Sequence, residues 1–115
     1  MVAGPYRAGG AAPAARDTNL RMLNEAAVML FRAGHIPVIG VNMALPMIDA
    51  AGANDVSYTE IMMPVSLALA ERCDACLRIG GVSKGADDEV RRFEAAGKPV
   101  FRSLHNVPGV EVQGQ

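Results

Sequence analysis

Two short stretches of this chain carry residue types that could do chemistry together. The first is Ala3-Gly4-Pro5-Tyr6-Arg7. Gly4 lets the backbone approach a ligand closely, while Tyr6 brings a hydroxyl donor and Arg7 a fixed cation. The second is Ser83-Lys84-Gly85-Ala86-Asp87-Asp88-Glu89. It reads as a glycine-containing loop running into a helix. The free N–H groups and the dipole at such a start favour anions. Ser83 can donate to an oxygen anion, Gly85 and Ala86 offer backbone, and Glu89 falls about one turn inside the helix. Each stretch also has a plainer reading: a loop with a surface arginine, and a capped helix with acidic residues in its first turn.

Cys73-Asp74-Ala75-Cys76 has the spacing of a redox pair, but a redox pair normally opens a helix after a strand. Here it runs into a strand, where positions three apart face opposite ways. Both cysteines are therefore expected reduced and unpaired. His35 and His105 are far apart in sequence with no metal-ligand spacing around them, so neither a metal nor another cofactor is expected. The methionines at 43, 47, 62 and 63 suit packing or subunit contact better than a cofactor site.

Composition sets the frame for these residues. The chain has 115 residues, and 50% are hydrophobic and 20% charged. That is ordinary globular composition for one domain over residues 1–115. The formal net charge is −1, without a basic stripe, so no nucleic-acid partner is expected. Two Tyr, three Phe and no Trp leave little for a base-stacking platform. No apolar run approaches a membrane span. No basic segment leads into an apolar stretch at the start, so no signal peptide and a cytoplasmic setting are expected.

Short apolar runs alternate with helical periods, which predicts an α/β domain with a parallel sheet. Strands are expected at Met1–Ala3, Ile36–Val41, Asp74–Ile79 and Pro99–Leu104. Asp17 is expected to cap a helix over about 18–33, with Leu20, Leu23, Ala27, Leu30 and Phe31 on its buried face. Residues 42–56 read as loop with a turn of helix near Met47–Ala51. Ser57-Tyr58-Thr59-Glu60 reads as a capping box opening a helix to about Arg72, complicated by Pro64. A last helix covers Ala86–Ala96, and the tail from Asn106 has little pattern. The expected architecture is a small open parallel sheet of about four strands, order 2-1-3-4, with helices on both faces, Rossmann- or flavodoxin-like. Its switch point would bring the loops Gly4–Gly10 and Gly80–Gly85 together at the carboxyl ends of the strands.

In order along the chain, Ala3-Gly4-Pro5-Tyr6, Cys73-Asp74, Ser83-x-Gly85-Ala86-x-x-Glu89 and Gly97-Lys98-Pro99-Val100 resemble motifs of the nucleoside 2-deoxyribosyltransferase superfamily. The likeness is nearest to small bacterial members carrying Ser-Lys-Gly-Ala-x-x-Glu, and it spans most of residues 2–101. It implies N-glycosidic chemistry on a nucleoside or nucleotide. Glu89 would attack C1′ of a ribose or deoxyribose, and Tyr6 would orient it by a hydrogen bond. The transferase branch often has Asp where this chain has Ser83, whereas members that hydrolyse deoxynucleoside 5′-monophosphates have Ser. They also carry an Arg-Gly-Gly-like loop, which Arg7-Ala8-Gly9-Gly10 resembles with one insertion. A phosphorylated substrate held by Gly4, Arg7, Ser83, Gly85 and Ala86 is the resulting expectation. The base-contacting Asp of such enzymes is missing near Ser66; Asp49 and Asp55 are possible stand-ins. A non-catalytic nucleotide-binding module is the alternative, since a fold does not fix a function. A homodimer or tetramer is expected.

Overall fold

The computed structural model describes residues 1–7 and 10–111. Four helices dominate it: α1 Pro13–Arg32, α2 Gly40–Ala50, α3 Asp55–Arg72 and α4 Lys84–Ala95. They surround a small sheet of three very short strands, β1 Val2–Ala3, β2 Cys76–Arg78 and β3 Val100–Phe101. The strands pair in parallel in the order β1-β2-β3. Register sets Val2 opposite Leu77, Ala3 opposite Arg78 and Cys76 opposite Val100.

This corrects the expected four-stranded Rossmann-like sheet. The segment at 36–41 is not a strand; its last two residues already belong to α2. The segment touches the sheet through one bond, from Val2 N to Val38 O at 2.8 Å. Pro37 has no N–H to give a ladder. Gly40, Ala44 and Ile48 are all buried, and their spacing of four makes a helical face. That face packs against Ile61 and Met62 of α3. The stretch read as loop is thus a helix, and it tolerates Pro46 inside it.

Other boundaries moved for local reasons. α1 begins at Pro13, not after Asp17, with no side-chain cap; proline at a first helical position has its φ preset and no N–H to leave unpaired. Leu23 and Leu30 are buried as expected, but Phe31 is 65% exposed and Ala26 takes a core place. Asn54, rather than Ser57, caps α3, accepting from Ser57 N at 2.9 Å. The last expected strand stops at Phe101, and Leu104–Asn106 forms a short 3-10 turn.

Alternation along the strands divides the core. Val2 and Leu77 pack with Leu23, Ala26 and Leu30 of α1. Met1, Ala3 and Cys76 pack with Ala86, Val90 and Phe93 of α4 and Ala70 of α3. No helix among the described residues is long and apolar enough to cross a membrane.

Candidate functional site

The loops leaving β1 and β2 lie against each other. A Cβ built on Gly4 would stand 2.8 Å from the Ile79 carbonyl oxygen and 2.6 Å from Leu23 Cδ2. Gly80 has φ +81° and packs on Pro5, where a Cβ would stand 2.7 Å from Pro5 Cδ. Only glycine fits at either place without displacement. The two glycine-bearing loops therefore meet at the carboxyl ends of adjacent parallel strands.

Ser83 is the N-cap of α4, and its hydroxyl accepts from Ala86 N at 3.1 Å. The Ala86 amide is thereby committed, and Asp87 N donates to the Ser83 carbonyl at 3.0 Å. The amides of Lys84 and Gly85, one residue into the helix, keep no intrahelical partner. Ser83 retains its hydroxyl proton as a donor. Gly85 faces Met63 of α3, whose Sδ would be 3.1 Å from an added Cβ.

Glu89 is buried, 8% exposed. Burial pushes its carboxyl up to about 7, against the lowering influence of the Met1 ammonium and the Arg78 guanidinium. Cys76 also faces this group; burial raises its thiol to about 11, and the Glu89 charge adds to the rise. Arg102 and Arg78 lie near enough to Cys76 to lower it. A carboxyl held near neutrality in a buried place is what acid–base or nucleophilic work requires, though structural groups are perturbed too.

Tyr6 stands elsewhere. It packs with Tyr58 on the cluster of Ala44, Ile48, Ile61 and Met62, and no hydrogen bond links it to Glu89 among the described residues. With Arg7 it lines a cleft of about 390 Å³. The far walls are Arg16 of α1, Leu45, Ile48 and Asp49 of α2, and Asn54, Asp55 and Tyr58 around the start of α3. Arg7 donates from Nη2 to Asp55 Oδ1 at 3.1 Å and lies 4.0 Å over the Tyr58 ring. Burial raises the Tyr58 hydroxyl, and Arg7 opposes that. Asp49 and Asp55 both line this cleft, but Ser66 does not: it is 2% exposed and packs under Gly40. Ala8 and Gly9 of the Arg-Gly-Gly-like loop lie outside the described residues, as do residues 112–115 of the tail.

No family model, curated protein or solved structure matches the chain. The structure brings together Gly4 with the Ile79–Gly80 turn, Ser83 with Ala86, and Arg7 with Tyr58. It does not bring Tyr6 into a hydrogen bond with Glu89.

Sequence reasoning passed over Arg78, Arg16 and Tyr58. Arg78 left a signal: it is a lone charge in the apolar run Ala75-Cys76-Leu77-Arg78-Ile79. A charge in a buried strand is almost always paired. Arg78 is 8% exposed. Its Nε donates to Asp87 Oδ1 at 3.1 Å, and its Nη1 and Nη2 donate to the carbonyls of Ile79 and Gly81. Arg16 and Tyr58 left none, because only the fold brings them to Arg7. Cys73 and Cys76 are both free. Among the described residues no cluster of His, Cys, Asp or Glu could hold a metal.

Proposed function

We propose that this chain cleaves or transfers the N-glycosidic bond of a nucleoside or nucleoside 5′-monophosphate, with Glu89 as nucleophile. One observation carries the reading: a carboxyl buried in α4, the helix that follows the glycine-shaped turn after β2, near Arg78, Cys76 and the Met1 ammonium. The resemblance of its four motifs to the nucleoside 2-deoxyribosyltransferase superfamily supports it. In the first step a Glu89 oxygen bonds to C1′, and the C1′–N bond breaks with its electron pair going to the base, which takes a proton from water. In the second step water or another base attacks C1′ and Glu89 leaves as carboxylate. Splitting one displacement into two lowers each barrier. In this reading Ser83 and the Gly85 amide are the anion-binding groups on the helix that carries Glu89, and Arg7 and Arg16 are those of the cleft that Tyr6 lines. A cytoplasmic homo-oligomer belongs to the same proposal; exposed Phe31, Met43 and Met47 favour self-association.

The test is a panel of nucleosides and their 5′-monophosphates scored for free base. Wild-type protein should release base from at least one, and Glu89→Gln from none. A second reading, a nucleotide-binding module without catalysis, is favoured by the missing Tyr6–Glu89 bond. It predicts that both proteins bind a monophosphate equally and that neither releases base.

A further inference from the structure

We infer that Arg78 is a positioning residue for the candidate site, tying the Ile79–Gly81 turn to the first turn of α4 and thereby fixing where Glu89 stands relative to the Gly4–Arg7 loop. The inference rests on the reading of Glu89 as the nucleophile, but it is argued from three bonds. Arg78 lies at the end of β2, opposite Ala3 of β1. Its Nε holds Asp87, two residues before Glu89 on the same helix. Its other two nitrogens turn back onto the carbonyls of Ile79 and Gly81. The turn so held is the one that Gly4 and Pro5 pack against. One planar guanidinium therefore fastens three segments: the turn after β2, the start of α4 and, through the turn, the loop after β1.

Charge alone would not need this arrangement. Asp87 is about half exposed, with a side-chain exposure of 45%, whereas Arg78 is 8% exposed; the buried charge needs this partner, but the pair alone does not hold the turn. The two carbonyl bonds are different. They satisfy backbone oxygens in a turn whose Gly80 has positive φ, and they need a fixed fork of donors. Lysine has the charge without the fork.

The experiment compares Arg78→Lys and Arg78→Gln with the wild type. Three readouts are used: amide hydrogen exchange over residues 79–86, the titration midpoint of the Glu89 carboxyl carbon by NMR, and base release from the nucleotide panel. The Glu89 signal is identified by its loss in Glu89→Gln. In Arg78→Gln, exchange should quicken and the Glu89 midpoint should rise, because a neighbouring positive charge is gone. In Arg78→Lys the midpoint should return toward that of the wild type while exchange stays fast. For base release, kcat should fall by roughly a hundredfold in Arg78→Gln, the scale of a misplaced reacting group. KM should hold, and Lys should restore only part. A folded Arg78→Gln with unchanged exchange and unchanged midpoint overturns the inference. If Arg78→Gln does not fold, unchanged exchange in Arg78→Lys does the same. If the wild type releases no base, the glycosidic reading falls, and the two NMR measurements still decide the role of Arg78.

Discussion

The Arg7 guanidinium lies 4.0 Å over the Tyr58 ring while its Nη2 is held by Asp55 at 3.1 Å. Stacking and pairing set this cation at the mouth of the cleft, but Asp55 competes for it. The Asp55 side chain is 93% exposed, so the pair is weak, about 0–1 kcal/mol. An incoming phosphate makes charge-assisted bonds of roughly 1.5–3 kcal/mol each and should win. Asp55→Asn should therefore tighten binding of a deoxynucleoside 5′-monophosphate by up to about fivefold, the equivalent of 1 kcal/mol. Arg7→Ala should weaken it by tenfold or more on the same scale. Calorimetry at fixed ionic strength measures both. Unchanged affinity in Arg7→Ala would remove Arg7 from the ligand site.

Glu89 supplies a pH test with a definite sign. Its carboxyl is raised from 4.5 to about 7 by burial. The folded state thus binds the proton more tightly than the unfolded chain. The stabilisation is complete below about 4.5 and is lost as pH rises through about 7. A shift of that size is worth about 3 kcal/mol. Urea unfolding from pH 5 to 8 should show stability falling for the wild type and a flatter profile for Glu89→Gln. Activity should run the opposite way. A nucleophile must be ionised, so kcat should rise through about pH 7. A kcat that falls over that range would make Glu89 the general acid instead.

What the sequence revealed about the site follows how local each signal is. The meeting of the Gly4 and Gly80 loops was legible, because parallel neighbours need only two strand signals; the helix after them was legible too, but it starts at Lys84 rather than Ala86, and Ser83, read as an anion donor, caps it. The helix at Gly40–Ala50 was not. Val38, Ile39 and Val41 resemble a covered strand, and the face that decides the matter, Gly40-Ala44-Ile48, exists only against Ile61 and Met62. Tyr6 was drawn toward Glu89 by motif order. In the fold its ring is claimed by the same α2–α3 cluster that the missing helix supplies.

The cysteines offer a chemical check on the sheet. Cys76 is buried in β2 and its thiol is pushed up to about 11, while Cys73 at the end of α3 is partly exposed. The thiolate is the reactive form. Iodoacetamide at pH 8 should label Cys73 first and reach Cys76 only when the protein is unfolded. Both cysteines fall in one tryptic peptide, Cys73–Arg78, and its fragment ions in tandem mass spectrometry locate the label. Equal labelling rates in the native protein would mean that β2 is not buried between its neighbours.

The contact between α2 and α3 sets the wall of the cleft, and Gly40 is where it is tightest. A Cβ on Gly40 would stand 2.1 Å from Ser66 Oγ and 2.8 Å from Ser66 Cβ. Ser66 is 2% exposed and has no room to turn away. Glycine to alanine in an exposed helix gains stability through propensity. Here overpacking should reverse the sign, and Gly40→Ala should cost about 1–3 kcal/mol. Ser66→Ala leaves the Cβ at 2.8 Å, whereas Ser66→Gly leaves only the Cα at 3.1 Å, a contact that a small shift relieves. The double variant Gly40→Ala, Ser66→Gly should therefore recover part of the loss, a coupling that a cycle of denaturant midpoints reads directly. Because Leu45 and Ile48 of α2 line the cleft opposite Tyr6, Gly40→Ala should also weaken monophosphate binding although it touches no ligand. If the two substitutions prove simply additive, the helices are not in contact at this point, and the cleft wall must be drawn from other residues.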